Sequence, residues 1–82
     1  MGDIMKALIT GASSGIGRDM ARVLSSLGYE LILVARNENK LIELQKDLQT
    51  STSVVSMDLS FKENCIELYN KFKNEEIDIL VN

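Results

Sequence analysis

The 82-residue sequence contains no histidine, no proline and no tryptophan, and its one cysteine is Cys65. A single cysteine excludes a disulfide within the chain. Without histidine there is also no Cys/His zinc site and no catalytic triad built on histidine. Three common kinds of site are therefore excluded before any motif is considered.

The chain also lacks a long hydrophobic run and an excess of positive charge. No apolar stretch approaches the roughly 20 residues of a membrane span, and the N-terminal MGDIMKAL has no hydrophobic region typical of a secretory signal. Nine Lys and Arg, dispersed among twelve Asp and Glu, give a net charge of −3 and no basic patch for nucleic acid. We therefore expect a cytoplasmic protein that binds neither membranes nor nucleic acid.

Short apolar runs alternate with amphipathic stretches along the whole chain. The runs predict strands at 6–10, 31–35, 54–57 and 77–81, with a turn at 50–53. Helices are predicted from near Ile16 to a stop at Gly28, from an N-cap at Asn37, and from a capping box formed by Ser60 and Glu63. The order βαβαβαβ predicts an α/β, Rossmann-type parallel sheet with right-handed crossovers and strand order 3-2-1-4.

Apolar spacing also predicts which face of the first and third helices is buried. For the first helix the predicted face is Ile16, Met20, Val23, Leu24 and Leu27, with Ser25 on the polar side. For the third helix it is Phe61, Cys65, Leu68, Tyr69 and Phe72. Both faces are expected to pack against the sheet.

The stretch TGASSGIG, residues 10–17, joins the first strand to the first helix. Glycines at 11, 15 and 17 allow a tight turn and leave no Cβ between the peptide groups and a ligand. The N-terminus of the helix adds unpaired N–H groups and the positive end of its dipole. Phosphate is the ligand that suits this geometry, although an ordinary strand-to-helix turn is the structural alternative.

Three sequence features together resemble the N-terminal half of a short-chain dehydrogenase/reductase. They are the GxxxGxG spacing of TGASSGIG, the pair Asp58 and Leu59 after the third strand, and the fourth strand DILVN. The resemblance covers the whole chain, and it implies that residues 1–82 are the dinucleotide-binding part of a Rossmann-fold domain, truncated after the fourth strand.

The resemblance also implies the residues that bind the cofactor. In this family the glycine turn binds the pyrophosphate, which assigns that role to Gly11, Ser13, Ser14, Gly15, Ile16 and Gly17. Asp58 is similar to the carboxylate that binds the adenine amino group, with the Leu59 backbone beside it, and Asn82 matches the first Asn of the family's NNAG segment. Plain structural roles remain open: the serines as turn or capping residues, and Asp58 as a cap for the third helix.

The end of the second strand bears on the choice between NADP and NAD. A carboxylate there binds the ribose 2′-hydroxyl of NAD, whereas an arginine accommodates the 2′-phosphate of NADP. Arg36 occupies this position, and Glu30 lies at the opposite end of the strand. NADP is therefore the expected cofactor, unless Arg36 is only a solvated surface residue or pairs with Glu38.

The family's reaction is hydride transfer between nicotinamide and a carbonyl or alcohol substrate, and it uses a tyrosine, a lysine and a serine. These residues are expected beyond the fourth strand, so the chain is predicted to have no catalytic residue. Tyr69 and Lys73 match the YxxxK spacing, but they lie on the third helix, where Tyr69 is expected to be buried.

The full-length parent is thus expected to be an NADP-dependent oxidoreductase. The alternative is a stand-alone nucleotide-sensing or interaction module, and coding sequence beyond Asn82 would discriminate between the two. Because the chain supplies no fifth strand, the edge of the fourth strand is expected to pair with that of a second copy in a homodimer.

Overall fold

The computed structural model describes residues 4–82, which form a four-stranded parallel sheet and three helices. The elements are β1 (Lys6–Thr10), α1 (Gly15–Ser26), β2 (Glu30–Ala35), α2 (Glu38–Asp47), β3 (Thr52–Ser56), α3 (Lys62–Phe72) and β4 (Ile79–Val81). The strand order is β3-β2-β1-β4 with every neighbouring pair parallel, which confirms the predicted Rossmann-type sheet.

Residues 1–3, which belong to the N-terminal stretch considered for a secretory signal, lie outside the described residues. Within residues 4–82, every helix is too short or too polar to cross a membrane.

The two central strands are buried on both faces, which explains their continuous apolar runs. On one face, residues of β1 and β2 pack with Ala21 and Leu24 of α1 and with Leu41 and Leu44 of α2. On the other face, the alternate residues of these strands pack with Leu68 of α3. Each fully buried Leu or Ile contributes about 1.5–3 kcal/mol, so β1 and β2 carry most of the apolar stabilisation.

The predicted ends of α1 and α2 are confirmed. Gly28 has a φ of +95°, its N–H donates to the Ser25 carbonyl at 3.0 Å, and the Tyr29 N–H donates to the Leu24 carbonyl at 3.0 Å. These two bonds close α1 in the manner of a Schellman motif. At the start of α2, the Asn37 side chain accepts a hydrogen bond from the Lys40 N–H at 3.2 Å.

The predicted apolar face of α1 is only partly correct. Leu24 is buried, but Ile16, Val23 and Leu27 are 79%, 51% and 68% exposed. The helix packs through Ala21, Leu24 and Ser25, and Met20 is half-buried against the core. The observed contact row therefore shares Leu24 and Met20 with the predicted one but is rotated towards Ala21 and Ser25. Small residues on this row allow α1 to approach the sheet closely.

Ser25 is buried rather than solvent-facing, which corrects the polar side predicted for α1. Its Oγ accepts hydrogen bonds from the N–H groups of Gln49 and Thr50 at 3.0 and 3.3 Å, and lies 3.0 Å from Thr50 Oγ1. The hydroxyl therefore ties α1 to the loop between α2 and β3, and its burial is offset by these partners.

The predicted face of α3 is also only partly correct. Leu68 is buried and Phe72 packs against it, but Cys65 is exposed, Phe61 is 58% exposed and Tyr69 is 69% exposed. Within residues 4–82, α3 has no second helix beside it on this face of the sheet. One flank of its apolar stripe therefore faces an open groove next to β4.

The capping box predicted at the start of α3 is wrong. The N-cap residue is Phe61, without a side-chain cap, and the Ser60 hydroxyl donates to Asp58 Oδ1 at 2.7 Å. Asp58 competes successfully for this hydroxyl because a carboxylate is a strong acceptor only two residues away.

The starts of β3 and β4 each differ from the predicted ones by two residues. β3 begins at Thr52, inside the predicted turn, because Thr52 and Ser53 pair with Leu31 and Ile32 of β2. β4 begins at Ile79 rather than Ile77. Just before it, Asp78 exchanges hydrogen bonds with Lys6: its N–H donates to the Lys6 carbonyl, and its Oδ2 accepts from the Lys6 N–H, both at 2.8 Å.

We predict that the chain forms a dimer through β4, which has a strand neighbour on one side only among the described residues. Leu80 is 62% exposed, so Leu80→Lys places a charge on this edge with little effect on the core and should weaken association. Leu27→Lys, at an equally exposed position on α1, is the control. Light scattering over a concentration series measures the effect; a monomer at high micromolar concentration, or equal effects of the two variants, contradicts edge pairing.

Candidate dinucleotide-binding site

The turn between β1 and α1 requires glycine at two positions for backbone reasons. Gly11 and Gly15 have φ angles of +64° and +60°, a region that strains residues with a Cβ. A Cβ built on either residue would meet no atom within 4 Å. The space beside both glycines is therefore open, as the approach of a ligand to the backbone requires.

Gly17 has a different role. A Cβ at this position would overlap the Gly11 carbonyl oxygen and would lie 2.9 Å from the Gly11 carbonyl carbon and 3.3 Å from the Ala12 Cα. The missing side chain thus makes room for the chain's own turn, not for a ligand, which corrects one part of the interpretation of the three glycines. It allows the first turn of α1 to pack directly on the end of β1.

The N-terminus of α1 is not capped by a side chain. Ser14 is the N-cap residue with an extended backbone, its hydroxyl makes no capping bond, and the first turn has no acidic residue. The capping role considered for Ser14 is therefore not observed. The first N–H groups and the positive dipole end remain available to an anion.

A cleft of about 340 Å³ lies at the carboxyl ends of β1, β2 and β3, beside this turn. The sheet order reverses here, and ligands of such sheets bind at this point. The cleft brings together six predicted site residues, namely Gly11, Ser13, Ser14, Arg36, Asp58 and Leu59. Thr10, Val34, Ala35 and Met57 complete its lining. They lie at or next to the carboxyl ends of β1, β2 and β3, the edge of the sheet at which such folds bind ligands.

The other predicted site residues lie around the cleft rather than in its lining. Gly15, Ile16 and Gly17 form the start of α1, and the Ile16 side chain is 79% exposed. Asn82 lines the neighbouring groove beside β4. The Thr10 hydroxyl lies 3.3 Å from both the Val81 carbonyl oxygen and Asn82 Oδ1, so Asn82 joins the end of β4 to the end of β1.

Arg36 and Asp58 both line the cleft, next to the ends of the neighbouring strands β2 and β3. Asp58 Oδ1 accepts hydrogen bonds from the Ser60 hydroxyl at 2.7 Å and the Ser60 N–H at 2.9 Å. These bonds, assisted by the positive charge of Arg36, hold the pKa of Asp58 below its usual value. In the range 4–82 no carboxylate lies within 4.0 Å of the Arg36 guanidinium, so the pair with Glu38 considered above does not form.

The side chains of the site suit an anion. The described part of the chain holds no cluster of three Asp, Glu or Cys side chains with the geometry of a metal site. What the cleft offers is open backbone at the glycine turn, three hydroxyls, one guanidinium and one ionised carboxylate. This donor and acceptor set suits the pyrophosphate, the phosphorylated ribose and the base of a dinucleotide.

The sequence and the fold both match known proteins. A model of the short chain dehydrogenase family matches residues 5–82. The chain is 42% identical over 78 residues to an uncharacterized oxidoreductase of Staphylococcus epidermidis, covering 93% of this chain and 34% of that protein. It is 44% identical over 75 residues to the 3-oxoacyl-[acyl-carrier-protein] reductase FabG of Rickettsia prowazekii, covering 92% and 30%.

Among solved structures, a metagenomic short-chain oxidoreductase in complex with NADP superposes with a TM-score of 0.85 at 30% identity. The match covers 93% of this chain and 37% of that protein. The chain therefore spans about a third of the length of the curated relatives and of this structural neighbour.

Replacing Ser60 tests the electrostatics of the cleft. Ser60→Ala removes the hydroxyl bond to Asp58, so we expect the pKa of Asp58 to rise towards its usual value. The pKa of Asp58 is lower in the folded state than in the unfolded state. Ionised Asp58 therefore stabilises the folded protein at pH values above the unfolded-state pKa, and this stabilisation is lost as the pH falls through the folded-state pKa. NMR titration of the carboxyl carbon measures the change, with Ser26→Ala as control; an unchanged Asp58 pKa would show that the hydroxyl bond is unimportant.

Proposed function

The chain belongs to the short-chain dehydrogenase family, and we propose that it is the NADP(H)-binding part of an oxidoreductase. The parent transfers hydride between the nicotinamide and a small carbonyl or alcohol substrate. The observation that carries the cofactor preference is Arg36, which lies at the end of β2, lines the cleft and has no carboxylate partner within 4.0 Å among residues 4–82. A cytoplasmic location is part of the proposal and rests on the sequence.

The pyrophosphate, the 2′-phosphate and the adenine of NADP each have a matching group at the cleft. The uncapped N-terminus of α1 and the open backbone at Gly11 suit the pyrophosphate. The planar guanidinium of Arg36 suits the 2′-phosphate, because it can make two parallel charged hydrogen bonds. Asp58 is ionised near neutral pH and can accept a hydrogen bond from the adenine amino group, beside Leu59.

The comparisons support this choice at the level of the family. The metagenomic neighbour was solved in complex with NADP, and the relative of Rickettsia prowazekii is named a reductase of an acyl-carrier-protein substrate. Both statements concern those proteins. For this chain, the support for NADP over NAD comes from the absence of an acidic side chain at the end of β2, where Ala35 and Arg36 stand.

We propose no catalytic residue within the 82 residues. The predicted burial of Tyr69 is wrong, because this side chain is 69% exposed. Its position still argues against catalysis: Tyr69 lies seven residues into α3, about 10 Å along the helix from its start near the cleft. Tyr69 and Lys73 line the groove beside β4, not the cleft that contains Arg36 and Asp58.

The cofactor preference predicts the effect of Arg36→Ala. A hydrogen bond to a charged group contributes about 1.5–3 kcal/mol, so this variant should bind NADP roughly ten- to a hundredfold more weakly and NAD almost unchanged. Calorimetric titration with both cofactors measures the difference, with Lys46→Ala, on the last turn of α2, as control. Equal losses for NADP and NAD in Arg36→Ala would contradict the assignment of the 2′-phosphate to Arg36.

The absence of catalytic residues predicts that the chain alone is inactive. With NADPH and a panel of aldehydes and ketones, the nicotinamide absorbance should stay constant, because no group is placed to protonate the carbonyl oxygen. Tyr69→Phe is the comparison variant. Turnover by the unmodified chain that disappears in Tyr69→Phe would show that the exposed tyrosine is catalytic.

A further inference from the structure

A hydroxyl at the end of β3 is bonded to the backbone that carries Arg36. The Ser56 hydroxyl donates a hydrogen bond to the Arg36 carbonyl oxygen at 3.0 Å. Ser56 is the last residue of β3 and pairs with Ala35 at the end of the β2–β3 ladder. The bond therefore lies one residue beyond the ladder, where the backbone leaves β2 and Arg36 begins to line the cleft.

The direction of the Arg36 carbonyl shows that the chain bends at this residue. Because the backbone of a strand reverses at each residue, successive carbonyls point to opposite neighbouring strands. The Val34 carbonyl accepts from the Ala12 N–H, on the side of β1, at 3.2 Å. The Ala35 carbonyl accepts from the Met57 N–H, on the side of β3, at 2.8 Å. A straight strand would turn the Arg36 carbonyl back towards β1, but it accepts its bond from the side of β3.

Arg36 stands between two anchored residues. Ala35 before it is held by the ladder with β3, and the Asn37 side chain after it caps α2 by accepting from the Lys40 N–H at 3.2 Å. Arg36 itself belongs to neither element. Because both neighbours are anchored, a rotation of the Arg36 carbonyl also changes the direction of its Cα–Cβ bond. The hydrogen bond from Ser56 opposes this rotation and thereby restricts where the guanidinium can reach.

We propose that Ser56 is a positioning residue for the choice of cofactor, which directs the Arg36 side chain into the dinucleotide cleft through the bond to its carbonyl. The proposal rests on the proposed function, because it assumes that Arg36 binds the 2′-phosphate of NADP. Two parallel hydrogen bonds from a guanidinium to a phosphate require a defined orientation. An arginine that is ordered before the ligand arrives loses less conformational entropy on binding.

The effect of Ser56 is specific to the cofactor that carries the 2′-phosphate. Ser56 is not among the residues that line the cleft, so its hydroxyl acts on the cofactor through Arg36. NAD has a hydroxyl in place of the 2′-phosphate and gains no charged contact from a well-placed guanidinium. The bond between Ser56 and the Arg36 carbonyl therefore adds to the preference for NADP.

The test is a calorimetric titration of the 82-residue chain with NADP⁺ and NAD⁺. For Ser56→Ala we expect about fivefold weaker binding of NADP⁺, as for the loss of one neutral hydrogen bond, and an unchanged affinity for NAD⁺. Ser56→Thr keeps the hydroxyl on a residue that suits a strand, so it should bind NADP⁺ within about twofold of the unmodified chain. Ser53→Ala, the same change near the amino end of β3 and away from the cleft, should change neither affinity.

A double-mutant cycle separates positioning from a merely structural role. Arg36→Ala keeps the backbone carbonyl but removes the guanidinium, so adding Ser56→Ala should weaken NADP⁺ binding no further. A hydroxyl that only supports the fold would weaken binding by the same factor with or without the Arg36 side chain, and this result would refute the proposal. A loss of equal size for NAD⁺ in Ser56→Ala would refute it as well.

Two further results distinguish a failure of this proposal from a failure of the proposed function. An unchanged NADP⁺ affinity in Ser56→Ala, with a loss in Arg36→Ala, would refute the role of Ser56 and leave the NADP assignment standing. An unmodified chain that binds NADP⁺ no better than NAD⁺ would refute the proposed cofactor preference itself, and the role of Ser56 with it.

Discussion

The parallel pairing of β1 with β2 is the interaction on which the rest of the structure depends. In its register Thr10 lies opposite Val34, so the strands end at the same edge of the sheet and the turn after β1 meets Arg36 after β2. Both strands are buried on both faces, and their apolar residues anchor α1 and α2 on one side and α3 on the other. A shift of this register would separate the glycine turn from the arginine.

The start of α1 shows how tightly the site is built into this sheet. Gly17 allows the helix to pack on the Gly11 carbonyl, while the left-handed conformations of Gly11 and Gly15 turn the chain from strand to helix within a few residues. The N-terminus of the helix is thereby directed at the cleft and left uncapped. Chain geometry and anion binding thus depend on the same three glycines, but each glycine contributes differently.

The sheet order and six of the residues that line the cleft could be predicted from the sequence because they depend on local signals. Strand–helix alternation, the Asn37 cap and the Gly28 stop each act over a few residues, and their consequences were confirmed. The burial of Ile16, Val23, Leu27 and Tyr69 was predicted wrongly. Apolar spacing indicates a possible buried face, but which row contacts the sheet depends on how closely small residues such as Gly17 and Ala21 let the helix approach.

Side-chain competition was the other limit on prediction. In the sequence, Ser60 could form either a capping box with Glu63 or a local turn with Asp58. Residue spacing alone does not indicate which of the two arrangements is more stable. The structure gives Ser60 to Asp58, which fixes the carboxylate at the rim of the cleft.

The buried hydroxyl of Ser25 limits the length of the loop between α2 and β3. Surface loops usually tolerate insertions and deletions. In this chain the loop between α2 and β3 is held by two backbone N–H groups that share a single serine oxygen. An added or removed residue at positions 49–51 would leave at least one of these N–H groups without its hydrogen-bond partner. The position of Ser25 on α1 therefore sets the length of this loop.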